Sequence, residues 1–125
     1  MPSAKPSIDA QISWVYTEDL ESSHRFYSHI LGFECIRDEA MARIYRTTPG
    51  ACIGVCRAHG DRVVEPRGGM ISIVTNDVDA CYRRLLERGL AIAEPPQRHP
   101  GFAIYTFFIE DPNGYVIEFQ QFLEP

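Results

Sequence analysis

The chain has 125 residues, 45% apolar and 23% charged, with a formal net charge of −5. That composition suits one globular domain with a real core, and an acidic balance without a basic block argues against nucleic acid as a partner. No apolar run approaches the ~18 residues of a membrane span, and the opening MPSAKPSID lacks the apolar region of a signal peptide.

Residues 1–9 carry two prolines among polar neighbours and read as a flexible N-terminal arm; residues 10–125 read as a single domain. Ile12 to Thr17 is a short strand. Asp19 then suits a helix N-cap, with Glu21 in the first turn where negative charge meets the helix dipole. Leu20, Phe26, Tyr27, Ile30 and Leu31 form an apolar stripe that Gly32 ends. Phe33–Arg37, Ala42–Thr47 and Ala51–Arg57 are strand-like, and Pro49-Gly50 turns the chain between the last two.

His59 to Gly69 is a polar connector, after which a similar order begins again. Met70–Thr75 is a strand, and Asn76 or Asp77 caps a second helix whose stripe is Val78, Cys81, Tyr82, Leu85 and Leu86, closed by Gly89. Leu90–Ala93 reads as a short strand and Pro95–Gly101 as a loop. Phe102–Phe122 reads as a β-hairpin about Asp111-Pro112-Asn113-Gly114. Along its second arm Tyr115, Ile117, Phe119, Gln121 and Leu123 share one face, and Val116, Glu118, Gln120 and Phe122 the other. A mid-strand carboxylate at Glu118 must find a partner, meet water or shift its pKa.

The four cysteines are Cys35, Cys52, Cys56 and Cys81, with no CxxC pair. Cys52 and Cys56 fall on one expected strand, roughly 13 Å apart, beyond the ~7 Å a disulfide tolerates. All four are expected to be reduced in a cytoplasmic protein, and the same spacing argues against a zinc site.

Each half therefore reads strand, helix, three strands: module one over 10–60 and module two over 69–125. Asp19 and Asp77 are equivalent anchors. The expected fold is α+β, two βαβββ modules forming curved mixed sheets, each covered by helix on one face, with the uncovered faces around a cleft suited to a small ligand.

Two stretches resemble a known family. Asp19-Leu20-Glu21-Ser22 to Phe26-Tyr27, followed by Leu31-Gly32-Phe33, is similar to the first helix of the vicinal oxygen chelate superfamily, the glyoxalase and bleomycin-resistance-like proteins. Asp111 to Glu118, DPNGYVIE, is similar to its closing hairpin. The resemblance spans Ile12 to Phe122 and speaks to the fold more than to the reaction, because that fold hosts several chemistries. It implies four strand positions from which metal-dependent members take ligands, here Ile12, Gly54, Met70 and Glu118. Only Glu118 keeps a ligand type; Ile12 and Gly54 cannot coordinate, and a thioether is too soft for Mg, Mn, Fe or Zn. No metal or other cofactor is therefore expected.

The expected ligand wall comprises Ile12, Trp14 and Tyr16 from the first strand, Cys52 and Gly54, Met70 and Ser72, Phe108, and Glu118. Glu118 is either a cleft carboxylate that holds a ligand or moves a proton, or a solvated or Arg-paired remnant of the fold; Arg43 or Arg46 could supply that partner. Trp14 and Tyr16 either stack an aromatic ligand or pack at a module or dimer interface. His24 and His29 are expected at the surface, His59 and His99 in loops. The leading reading is a metal-free small-molecule-binding protein taking a partly aromatic or apolar ligand, pairing as a homodimer, with neither nucleic acid nor membrane as partner. The alternative is a lyase, isomerase or dioxygenase-type enzyme using Glu118 with a divalent metal held by other ligands.

Overall fold

The computed structural model describes residues 2–124; the first residue of the expected arm and the last of module two lie outside them. Residues 2–10 are exposed and take no regular secondary structure. Module one then runs β1 (Gln11–Thr17), α1 (Leu20–His24) continued by a π-helical segment (Arg25–Ile30), β2 (Glu34–Asp38), β3 (Ala42–Thr48) and β4 (Ala51–Arg57). Module two runs β5 (Met70–Val74), α2 (Val78–Glu87), β6 (Gln97–Arg98), β7 (Ile104–Glu110) and β8 (Val116–Phe122). Each forms its own four-stranded mixed sheet, ordered β1-β4-β3-β2 and β5-β8-β7-β6, with the outer pair parallel and the rest antiparallel. The α+β class and the two-module repeat are as expected.

The paired helix starts have a common cause. The Asp19 carboxylate accepts from the backbone N–H groups of Glu21 (3.0 Å) and Ser22 (3.3 Å), and Asp77 accepts from that of Ala80 (3.0 Å). Each satisfies donors that the first turn leaves without intrahelical partners. The first helix is not uniform, however. Leu31 N–H donates to the Phe26 carbonyl five residues back, at 2.9 Å. This wider winding stacks Phe26 above Leu31 and buries both with Tyr27, a set that strict α-helical spacing would spread further around the axis.

One expected strand is displaced. Leu90–Ala93 pairs with nothing; Leu90 and Ile92 pack against the core as irregular chain. The strand lies instead inside the expected loop, where Gln97 pairs with Thr106 and Arg98 with Tyr105. Pro95 and Pro96 lack the N–H that a ladder needs, so pairing starts only after them. Leu86, assigned to the buried stripe of α2, is exposed.

Alternate residues of the central strands feed a single core: Val15, Tyr45, Ile53 and Val55 from module one, Phe107, Ile109, Ile117 and Phe119 from module two, with both helices contributing. A polar contact closes the module boundary. The Tyr27 hydroxyl donates to Asp111 Oδ2 at 2.7 Å, while Asp111 Oδ1 accepts from the N–H groups of Asn113 (2.8 Å) and Tyr115 (3.0 Å). Asn113 Nδ2 donates to Thr17 Oγ1 at 2.8 Å, and Ser23 Oγ donates to that same oxygen at 2.8 Å. Pro112 and Asn113 take negative φ, and Gly114 at φ +91° closes the loop, so this is a type I turn with a glycine bulge. The turn aims its side chains at the first helix of the other module.

Burial pushes the Asp111 carboxyl above its usual range, against the Tyr27, Asn113, Tyr115 and Gly114 donors that pull it down. The folded chain thus keeps that proton to higher pH than the unfolded chain. Its contribution to stability is present below the ordinary value of ~3.9 and is lost as pH rises through the folded value. Tyr27→Phe removes a donor to the charged form and should cost about 1–3 kcal/mol near neutrality. The cost should shrink in acid, where the carboxyl is protonated. Urea unfolding of both chains across pH measures this; a cost that stays flat or falls with rising pH would contradict the assignment.

Candidate functional site

The open face of the module-two sheet is built by alternation. Ile117 and Phe119 point into the core, so Glu118 between them faces the other way. Its neighbours across the ladders are Ser72 on β5 and Phe108 on β7. Glu118 is only 3% exposed, yet no cation reaches it. Its partners are neutral: Ser72 Oγ donates to Oε1 at 2.6 Å, Thr106 Oγ1 to Oε2 at 2.7 Å, and Gln120 Nε2 to Oε1 at 3.2 Å. Neither arginine considered as a partner is there. Arg43 bonds Glu21 (2.8 Å) and Asp38 (3.0 Å) on the helix side, and Arg46 bonds Glu34 at 3.3 Å. The Arg43 guanidinium in turn holds the Glu21 carboxyl below its usual range.

The open face of module one centres on Trp14, 43% exposed, which lies beside Gly54 in the parallel ladder. A Cβ built on Gly54 would stand 2.5 Å from Trp14 Cε3 and 2.6 Å from Cζ3. The indole therefore lies flat on the β4 backbone in space that any other residue at 54 would claim. Ile12 is exposed beside half-buried Cys52. Tyr16 belongs to another neighbourhood: Arg62 from the connector donates to its hydroxyl at 2.8 Å, and the two line a 500 Å³ cavity with His59 and Asp61.

The expected wall residues thus fall into groups. Trp14 and Met70 line one cavity of 380 Å³, roofed by the connector at Pro66–Gly69. Ser72, Phe108 and Glu118 are adjacent on one sheet face, with Phe108 lining a 340 Å³ cavity under the Ala93–Pro100 segment. Ile12, Cys52 and Gly54 share the module-one face with Trp14. Thr106 and Gln120 were not among the expected site residues. Gln120 was legible, two residues along the strand from Glu118; Thr106 needed the β7–β8 register. All four thiols are free. His29 is exposed as expected, but His24 is half-buried, its Nδ1 2.8 Å from the Tyr45 hydroxyl. Burial pushes that hydroxyl up to about 12.

Residues 10–119 match the family model described as the glyoxalase/bleomycin resistance protein/dioxygenase superfamily. The chain belongs to that superfamily. Solved structures place the fold there as well. A glyoxalase/bleomycin resistance protein/dioxygenase from Nocardioides is 23% identical with a TM-score of 0.78, the match covering 98% of this chain and 87% of that one. One of the same description from Alicyclobacillus acidocaldarius is 22% identical, TM-score 0.77, covering 93% and 92%. A lactoylglutathione lyase from Agrobacterium tumefaciens is 18% identical, TM-score 0.73, covering 93% and 95%. No curated protein matches the sequence. At these identities the likeness speaks to the fold.

The superfamily's metal positions do not suit a metal in this member. Ile12 offers hydrocarbon, Gly54 no side chain, Met70 a thioether, and Glu118 a carboxylate already engaged by three donors. The Trp14 ring covers Gly54. Among the described residues no group of three or more His, Cys, Asp or Glu side chains gathers elsewhere to replace them.

Gly54→Ala should displace the Trp14 ring. Because Trp14 is the only tryptophan, emission reports the change directly. A shifted maximum in a still-folded variant is expected; an unchanged spectrum would mean that the ring does not rest on Gly54.

Proposed function

We propose that this superfamily member is a small-molecule-binding protein that works without the metal site, taking a partly aromatic or apolar ligand against the open faces that carry Trp14 and Glu118. The observation that carries the reading is the pairing of Trp14 with Gly54. Where a metal-dependent member would present a ligand side chain, this chain presents a flat aromatic surface. Phe108, 45% exposed, and Met70 extend the apolar surface on module two, and Trp14 and Met70 already share a cavity. Exposed rings beside preformed cavities favour stacking and burial of a planar body.

Enzymatic stabilisation of an enediolate would need positive groups aimed at the developing charge. None stands near Glu118, and Ser72, Thr106 and Gln120 occupy its oxygens, so binding is better supported than proton transfer. No helix among the described residues is long and apolar enough to cross a membrane. The free thiols favour a reducing compartment, for which the cytoplasm is proposed.

Titration of flat aromatic compounds against Trp14 emission tests the reading. Saturable quenching or shift by at least one compound is expected, at unchanged affinity after treatment with a chelator. Unchanged emission across a broad panel, or binding that disappears with the metal, would overturn it.

Pairing as a homodimer is proposed from the same faces, since Ile12, Trp14, Met70, Val74, Phe108 and Phe122 are all exposed in one chain. Sedimentation should give about twice the 14.2 kDa of the chain, and charged substitution at Phe122 should lower it. A monomer at micromolar concentration would refute the pairing.

A further inference from the structure

The open face of module two has a one-sided charge inventory. Its strands β5, β7 and β8 carry no lysine or arginine at all. They carry Glu118 at the centre and Glu110 at one end, and Glu94 closes the other end through its 3.0 Å bond from Gln97. None of these three acids is in a salt bridge among the described residues. The nearest cations belong elsewhere. Arg98 on β6 shares the register of Tyr105, whose hydroxyl donates to Asp79 on α2, and so lies on the helix side. Arg67 on the connector bridges Glu65 at 3.6 Å.

Between these acids stands an aromatic ring. Phe108 is directly opposite Glu118 in the antiparallel ladder and is exposed. Cavities flank it on both sides: 340 Å³ with Glu94 and Thr106 in its wall, and 600 Å³ with Glu110 and Val116. Glu118 accepts two donors on Oε1 and one on Oε2, which leaves one of about four lone-pair sites open. An exposed ring face beside unpaired carboxylates attracts positive charge through the ring quadrupole and through direct Coulomb attraction. A ligand anion there would meet only negative groups.

We propose that this face selects an organic cation: an ammonium or guanidinium group on an apolar or aromatic body, its charge set over Phe108 between Glu118 and Glu110. The assignment rests on the small-molecule-binding reading above and adds the sign of the ligand's charge. Glu110, being exposed, can touch the cation. Glu118 acts from beneath, through the field of a buried carboxylate that neutral donors orient but do not neutralise.

Calorimetric titration of the full chain with phenethylammonium, 2-phenylethanol and 3-phenylpropionate tests it, because the three share a phenylethyl body and differ in charge. The cation should bind about tenfold more tightly than either comparator at low salt. Added salt should reduce that margin, because it screens exposed charge. Glu110→Gln, on an exposed side chain, should weaken the cation about threefold and leave the alcohol unchanged; Glu118→Gln should weaken it further if the variant folds. Equal affinity for all three, preference for the anion, or indifference of the cation to Glu110→Gln would overturn the charge assignment while leaving a ligand site in place. No binding by any of the three, with the Trp14 panel also silent, would remove both readings.

Discussion

The hydrogen bond between Tyr27 and Asp111 joins two halves that share no β-ladder. It is buried, 2.7 Å long and set in a small network in which Asn113, Thr17 and Ser23 satisfy one another. Among the described residues no buried side-chain nitrogen or oxygen lacks a partner, so the polar groups at this boundary do not carry the penalty of unmet hydrogen bonds. The hydrophobic core spans the boundary too, but apolar packing alone has little directional preference. The polar contact supplies direction: it seats the β7–β8 turn on the entry of the first helix and so relates the faces of the two sheets.

Joining the modules at that point commits one face of each sheet to the core and leaves the other open. The open faces are where sequence and burial disagree most. Trp14, Met70 and Phe108 are large and apolar yet exposed, while Glu118 is charged yet nearly inaccessible. Each inversion has a local cause. Trp14 cannot sink into the sheet because the β4 backbone at Gly54 lies directly beneath it. Glu118 tolerates burial because hydroxyls from two flanking strands and an amide from its own strand meet its oxygens. A preorganised surface of this kind suits recognition better than it suits further stabilisation of the chain.

Much of the fold was legible because its signals are local. Asp19 and Asp77 cap their helices through bonds spanning two or three residues. The strand alternation that set Ile117 and Phe119 inward necessarily set Glu118 outward. The misplaced short strand shows the limit of such reasoning. Leu90–Ala93 has the apolar character of a strand but no partner, and Gln97–Arg98 has little strand character but lies beside β7. Pairing is a property of two segments, and the second is invisible to a reading of the first.

The Glu118 site divides along the same line. The sequence by itself determined that a carboxylate would stand mid-strand opposite the core face, and that three of the four positions used by metal-dependent relatives would hold no suitable ligand. Both follow from residue identity and from the two-residue period of a strand. Only the tertiary structure decided that Ser72 and Thr106, forty-six and twelve residues away in the chain, would meet that carboxylate in place of an arginine. Only it decided that Trp14 would cover Gly54, and that the DPNG turn would serve the other module as well as its own hairpin. These outcomes depend on strand register and on how two modules dock. Such relations are set by the free energy of the whole packed chain, and no single segment encodes them.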